Sequence, residues 1–188
     1  MLVVFPGNHD QPRFLTEAQG DTGKLRMATA FVLTTRRVAH LYYGDEVAMQ
    51  GGRDPDNRRD FPGGWPGDPV DAFTPAGRTG DAAKVFDWTR QLLHFRRDHA
   101  ALRRGGLTHL LVNDQQYVAL RSTPEEHVLV VLNRAGAEKP LALEVDDLPV
   151  KDGARFTPLQ SGRQELTVAG GKLTLPQPGE VEIYWSRR

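Results

Sequence analysis

The sequence contains no cysteine in 188 residues. Disulfide bonds, thiolate nucleophiles and cysteine-ligated zinc sites are therefore excluded for these residues. A net charge is lacking too, because 24 Lys and Arg residues balance 24 Asp and Glu residues. A chain without excess positive charge is a poor general binder of polyanions, so no nucleic-acid partner is expected.

Long apolar runs are also missing. No run approaches the ~20 residues of a membrane-spanning helix, so no membrane partner is expected. The run Leu2-Val3-Val4-Phe5 is too short for a signal peptide and ends at Pro6-Gly7. The six histidines have no HExxH-like spacing, and the acidic stretch 54–60 fails the EF-hand pattern, so neither a metal nor a cofactor is predicted.

The remaining composition, 39% hydrophobic and 26% charged, is that of an ordinary globular protein with one or two domains. The pattern changes near Gly105-Gly106, which predicts domains over residues 1–104 and 105–188. The first half alternates strand and helix, so its strands should be parallel. The predicted elements are a strand over 2–5, a helix over 23–36, a strand over 38–43, a loop over 47–80 and a helix over 81–103.

Short β-prone segments separated by turn signals follow from Leu107 onward. This spacing predicts a small antiparallel β-sandwich. Turns are predicted between the strands, for example at Ala135-Gly136 and Gly170-Gly171. The predicted strands cover 107–112, 116–122, 127–133, 141–145, 164–168, 172–175 and 180–186.

Two parallel strands with two helices are too few for a closed α/β domain, because parallel sheets are normally covered on both faces and contain more strands. Each βα unit of a (β/α)₈ barrel takes roughly 30 residues. The first half therefore has the length of two such units, and we expect it to be part of a larger barrel.

Polar residues cluster where the first predicted strand ends. Asn8-His9-Asp10 follows it directly, and a second polar loop follows Tyr42-Tyr43-Gly44. α/β enzymes carry their chemistry at the carboxyl ends of their strands. The alternative for Asn8-His9-Asp10 is turn chemistry alone, in which Asn and Asp bond their own backbone. For Asp45-Glu46 a structural role, through hydrogen bonds to loop backbone, is the favoured interpretation.

Three motifs in order resemble the α-amylase family of glycoside hydrolases, in particular its neopullulanase and cyclomaltodextrinase branch. The stretch 5–14 resembles the segment after the seventh barrel strand, 41–46 resembles the eighth strand, and 51–65 resembles the substrate-facing loop that follows. The resemblance implies an α/β fold followed by an all-β domain: the last two βα units of a (β/α)₈ TIM barrel and a C-terminal antiparallel β-sandwich.

The resemblance also implies roles for single residues. Asp10 matches the carboxylate that stabilises the transition state, and His9 matches a histidine that contacts the sugar beside the scissile bond. Asp54 and Arg58 match a pair that binds a glucose unit on the non-reducing side. The implied ligand is an α-glucan oligosaccharide, and either Trp65 or Phe61 is a candidate for stacking on a sugar ring.

The nucleophilic Asp and the acid/base Glu of the family follow its fourth and fifth strands, and neither stretch is present in this sequence. We therefore expect the C-terminal part of a retaining α-glucan hydrolase, inactive by itself. One alternative is a non-catalytic carbohydrate-binding or interaction remnant. Another is a metal-assisted hydrolase that uses His9, Asp10 and the Asp54 loop.

Overall fold

The computed structural model describes residues 2–135 and 140–187. The chain divides into two compact units. The first unit comprises Met1–Leu33 and Arg37–Phe95, and the second comprises Thr34–Arg36 and Arg96–Arg188. None of the helices within the described residues has the length and apolar character needed to cross a membrane.

Two short parallel strands and the helices between them begin the chain. β1 (Val3–Val4) pairs in parallel with β2 (Val38–Ala39), with Val3 opposite Val38. Between them lie α1 (Phe14–Glu17) and α2 (Thr22–Thr34). The predicted parallel pairing across a helical connection is confirmed.

The start of α2 is capped by the side chain of Asp21. The backbone N–H of Lys24 donates to Asp21 Oδ1 at 3.1 Å, and this hydrogen bond lowers the pKa of the Asp21 carboxyl. Among the apolar residues of α2, Leu25, Ala30 and Val32 are buried, whereas Phe31 is 37% exposed. The buried residues lie on one face of the helix.

The two strands of the first unit are shorter than predicted. Residues 2–5 were expected to form a strand, but only Val3–Val4 does so, and Leu2 and Phe5 are 64% and 42% exposed. Within the described residues β1 pairs only with β2, so no further strand flanks it there. The strand expected over 38–43 is regular only at Val38–Ala39, and a 3₁₀ helix follows at Asp45–Val47.

The long loop leads into α3 (Gly80–Asp98), whose buried residues include Val85, Trp88, Leu92 and Phe95. The helix expected to reach residue 103 is interrupted at His99, which is extended, and α4 (Ala100–Arg104) starts after it. Glu126 explains the restart, because its Oε1 accepts the Ala101 N–H at 2.7 Å while its Oε2 lies 2.8 Å from His99 Nδ1.

The second unit is built on a mostly antiparallel sheet. Its strands are β3 (Gly106–Val112), β4 (Gln116–Ser122), β5 (Glu126–Asn133), β6 (Leu141–Glu144), β7 (Arg155–Pro158), β8 (Leu166–Thr167), β9 (Lys172–Leu175) and β10 (Val181–Arg187). The large sheet has the order β3-β4-β5-β10-β7-β8, and β6 and β9 form a separate antiparallel pair. The strand β7 was not predicted.

The core of this unit lies between the large sheet and the β6–β9 pair. Phe156 is its largest wholly buried apolar side chain, at 0% exposure. Its other members include Val118, Leu120, Leu129, Val131, Leu143, Leu173, Leu175 and Tyr184. The turn predicted at Gly170-Gly171 is present, with both residues at positive φ, whereas the turn predicted at Ala135-Gly136 runs into residues outside the described range.

A buried arginine joins separate segments of the second unit. Arg121 is 1% exposed, and burial lowers its pKa to about 10. Its guanidinium donates to the backbone carbonyls of Thr34, Thr35, Gly105 and Gly106. These carbonyl oxygens satisfy the donors of a cation that would otherwise be costly to bury.

Candidate functional site

Two hydrogen bonds at Gly51 connect two polar segments of the first unit. The N–H of Arg13, after β1, donates to the Gly51 carbonyl at 2.9 Å. The Gly51 N–H in turn donates to Thr16 Oγ1 at 2.8 Å. The loop that begins near Gly51 is therefore fixed against the segment that contains Asn8-His9-Asp10.

A buried asparagine makes the second connection. Asn57 is 0% exposed, and its Nδ2 donates to the carbonyls of His9 and Gln11, both at 2.8 Å. These two bonds hold the backbone on either side of Asp10. Sequence reasoning missed this role, because an Asn inside a polar loop gives no signal that distinguishes a buried anchor from an exposed turn residue.

The structure brings all four residues predicted for the site together. Arg58 is the bridge: its Nε lies 2.9 Å from Asp54 Oδ1, and its Nη2 lies 3.8 Å from Asp10 Oδ1. His9 Nε2 lies 3.2 Å from the same Asp10 oxygen. The Arg58 Nε also donates to the His9 carbonyl at 3.1 Å.

These side chains remain open to solvent and can meet a ligand. Asp10 is 66% exposed and Arg58 47% exposed at the side chain. A carboxylate accepts hydrogen bonds and a guanidinium donates them, so the cluster offers both partners that a hydroxyl group needs. The turn interpretation is also correct locally, since Asn8 Oδ1 accepts the Asp10 N–H at 2.8 Å.

Beneath this open cluster lies a buried ion pair that sequence reasoning missed. Arg13, 1% exposed, donates through Nη1 to the Tyr43 carbonyl at 2.7 Å and approaches Asp45 Oδ1 at 3.5 Å. Its guanidinium lies over the rings of Tyr42 and Tyr43, at 4.6 and 4.8 Å from their centroids. Asp45 was predicted to form hydrogen bonds with loop backbone, but in the structure its carboxyl pairs with the Arg13 side chain.

The Asp45 carboxyl is electrostatically unusual. Burial raises its pKa to about 6, although the Arg13 guanidinium opposes the rise. Nearby Gly44 has φ +88°, and a Cβ there would lie 2.3 Å from Met49 Sδ and 3.2 Å from Arg13 Nη1. Only glycine fits both the backbone conformation and the space beside the arginine.

A metal centre is not formed by these residues. Among residues 2–135 and 140–187, no group of three or more His, Cys, Asp or Glu side chains is placed to hold a metal ion. His9, Asp10 and Asp54 are therefore not placed as such a group.

Comparison with known proteins connects this geometry to a family. The family profile described as "Alpha amylase, catalytic domain" matches residues 1–105. Neopullulanase 2 of Thermoactinomyces vulgaris is 31% identical over 184 residues, which cover 96% of this chain and 28% of that protein. A cyclomaltodextrinase of Geobacillus thermopakistaniensis is 29% identical over 142 residues, which cover 74% of this chain and 22% of that protein. The chain therefore spans about a quarter of these relatives.

A solved structure supports the same relationship at the level of fold. The crystal structure of an Anoxybacillus α-amylase superposes with a TM-score of 0.79 over 100% of this chain and 38% of the α-amylase chain, at 24% identity. At that identity the likeness concerns the fold alone.

Proposed function

This chain belongs to the α-amylase family, and we propose that its 188 residues carry one wall of a retaining α-glucan glycosidase site. On this proposal β1 and β2 are the seventh and eighth strands of a (β/α)₈ barrel, and residues 105–188 form the β-sandwich domain that follows it. The parallel register of the two strands supports the barrel assignment.

The observation that carries the proposal is the bridge formed by Arg58. It connects Asp54 with Asp10 at 2.9 and 3.8 Å, and the peptide beside Asp10 is held by buried Asn57. A carboxylate held in place before a ligand arrives needs little reorganisation when charge develops near it. Such preorganisation suits a transition-state stabiliser better than it suits a solvent-exposed turn.

The proposed chemistry follows from that arrangement. Glycosidic cleavage passes through an oxocarbenium-like state, and retaining enzymes use two carboxyl groups about 5–5.5 Å apart. Asp10 is a further carboxylate, whose hydrogen bonds to sugar hydroxyls strengthen as positive charge develops. His9 contacts the same sugar, while Asp54 and Arg58 accept from and donate to the hydroxyls of a glucose unit on the non-reducing side.

The nucleophile and the acid/base belong to stretches of the family that these 188 residues do not match. We therefore expect the chain alone to bind α-glucan without hydrolysing it. Pullulan- and cyclodextrin-type substrates are suggested by the names of the neopullulanase and cyclomaltodextrinase relatives, and each contains α-linked glucose units that the same wall would contact.

Calorimetric titration with maltotriose tests the proposal. We compare the wild-type chain with Asp10→Asn, Arg58→Ala and a matched control, Asp60→Asn, which changes an exposed carboxyl in the same loop. Wild type and Asp60→Asn should bind equally, and Arg58→Ala should bind about tenfold more weakly, the loss typical of a central contact.

A reducing-sugar assay on maltodextrin accompanies the titration. No product should form with any variant, because the bond-breaking carboxyl groups are absent. If neither Asp10→Asn nor Arg58→Ala changes the affinity for maltotriose, the assignment of these two residues to the sugar-binding site is contradicted. Product release by wild type that is lost in Asp10→Asn would contradict the expectation that the chain alone is inactive.

A further inference from the structure

A cavity in the first unit lies outside the Asp10–Arg58 cluster. Its volume is about 490 Å³, within the usual range of ligand pockets. Aromatic rings form most of its walls, and two side chains of opposite charge, Glu46 and Arg78, lie among them. The aromatic lining residues are Tyr43, Phe61, Phe73 and Phe86.

Local backbone structure preforms the aromatic wall. The Ala72 N–H donates to the Pro62 carbonyl at 3.0 Å, which places the neighbouring residues Phe61 and Phe73 opposite each other. Their ring centroids lie 4.6 Å apart with an interplanar angle of 47°. Phe73 is nevertheless 64% exposed, so an apolar surface faces the solvent at the mouth of the cavity.

The two charged residues define what kind of ligand fits. The Arg78 guanidinium lies 3.8 Å from the Phe86 ring centroid, and its Nη1 donates to the Ala72 carbonyl at 2.7 Å. Glu46 supplies carboxylate acceptors in the same cavity. The Glu46 carboxylate would repel a simple anion, and the Arg78 guanidinium would repel a simple cation. The pair therefore favours a neutral ligand that carries both hydrogen-bond donors and acceptors.

A pyranose ring has these properties, since it presents apolar C–H groups on its faces and hydroxyl groups around its edge. Tyr43 also connects the cavity with the first cluster, because its hydroxyl donates at 2.7 Å to the carbonyl of Arg59, the residue after Arg58. A sugar chain held at Arg58 would therefore have a second surface next to it along the same loop.

We propose that the cavity between Phe61, Phe73 and Arg78 is a second sugar-binding site, which takes a pyranose ring of an α-glucan beside the Asp10–Arg58 wall. The choice of α-glucan rests on the proposed function, whereas the neutral polyhydroxyl character rests on the cavity itself. Of the two stacking candidates in the sequence, Phe61 lines the cavity. Trp65, 63% exposed, is not among the lining residues and serves as a matched aromatic control.

The test is an NMR titration of the 188-residue chain with maltotriose. The ring signals of Phe61 and Phe73 and the Arg78 side-chain N–H signal should shift in a saturable way. In Phe73→Ala the affinity reported by the Phe61 and Arg78 signals should fall about tenfold, while signals from Asn8 to Asp10 keep their wild-type affinity. Trp65→Ala should behave like wild type.

Glu46→Gln, which keeps the shape of the side chain, gives a second variant with an intact aromatic wall, and it should also weaken the response at Phe61. If the Phe61 and Phe73 ring signals of the wild-type chain do not shift with maltotriose, the proposal is overturned, and this result does not depend on whether the variants fold. So would equal affinities in wild type and Phe73→Ala, or shifts of the Phe61 and Phe73 signals with inorganic phosphate in place of maltotriose.

The outcome is separable from that of the first proposal. If the second site alone fails, the Asn8–Asp10 and Arg58 signals still shift and still lose affinity in Arg58→Ala. If the glycosidase wall alone fails, those signals are silent while the Phe61 and Phe73 signals respond.

Discussion

The strands of the two units differ in how deeply they are buried. In the second unit, every residue of β5 is buried, and the core between the large sheet and the β6–β9 pair contains side chains such as Phe156 and Leu173 at 0 and 1% exposure. In the first unit, β1 and β2 have two residues each, and Leu2 is 64% exposed. The candidate site nevertheless lies in the first unit.

The two units are stabilised by different kinds of interaction around their functional and structural centres. Burial of apolar area stabilises the second unit. Around the site, order comes largely from polar anchors: Asn57 holds the backbone near Asp10, and the buried Arg13 holds the Tyr43 carbonyl and Asp45. Hydrogen bonds of this kind specify geometry while adding only about 1 kcal/mol each to stability.

Hydrogen exchange should show the contrast most strongly. Amides of β4, β5 and β10 should exchange only through global opening of the second unit, since these strands are paired on both sides. Amides of β1 and β2 should exchange many times faster through local opening. Site-resolved exchange measured by NMR on the intact chain checks this, and equal protection in β1 and β5 would contradict it.

Replacing one phenylalanine in each unit by alanine measures how much burial of that ring stabilises the unit. Phe156→Ala should lower the free energy of unfolding of the second unit by about 3–5 kcal/mol, because it removes a wholly buried ring and leaves a cavity. Phe5→Ala should lower that of the first unit by about 1 kcal/mol or less, because Phe5 is already 42% exposed.

Urea denaturation followed through amide signals of each unit gives the two values separately. The two variants are matched in residue type, so a difference between them reports burial rather than chemistry. A cost for Phe5→Ala as large as that for Phe156→Ala would show that the first unit depends on apolar packing as much as the second does.

The sequence predicted much of the fold because the spacing of apolar residues and the residues that favour turns are local features of the chain. The parallel β1–β2 pair, the helix α3 and most strands of the second unit were recognised in this way. β7 was missed because Arg155–Pro158 includes an exposed arginine and a proline and follows a turn, so no alternating pattern marks it. The interruption of the last helix was missed because its cause is Glu126, which lies 25 residues beyond Ala101.

The candidate site was predictable in its exposed residues and not in its buried ones. His9, Asp10, Asp54 and Arg58 were found through motifs that resemble the α-amylase family, a membership now shown by the profile match. Their assigned roles remain predictions. Arg13 and Asp45 were not recognised as partners, because a contact between residues 32 apart leaves no local pattern. A buried charge needs a partner, but the sequence does not say which residues are buried.

The buried carboxyl of Asp45 makes the stability of the first unit depend on pH. Its pKa in the folded chain is about 6, above the ordinary value of 3.8, so the folded state binds the proton more tightly than the unfolded state. The contribution of Asp45 is fully favourable below about pH 4 and is lost as the pH rises through 6, by up to about 3 kcal/mol. We therefore expect the first unit to be harder to unfold at pH 5 than at pH 7.

Two observations separate this effect from other titrations. Asp21 and Asp56 have lowered pKa values because they accept backbone hydrogen bonds, so the stability that they contribute is lost only as the pH falls below about 4, outside the measured window. Asn at position 45 cannot titrate, so Asp45→Asn should remove the dependence of the unfolding free energy on pH between 5 and 7. A ¹³C titration of the Asp45 carboxyl with a midpoint near 4 would contradict the burial argument, whereas a midpoint near 6 places the proton on this carboxyl in the folded chain.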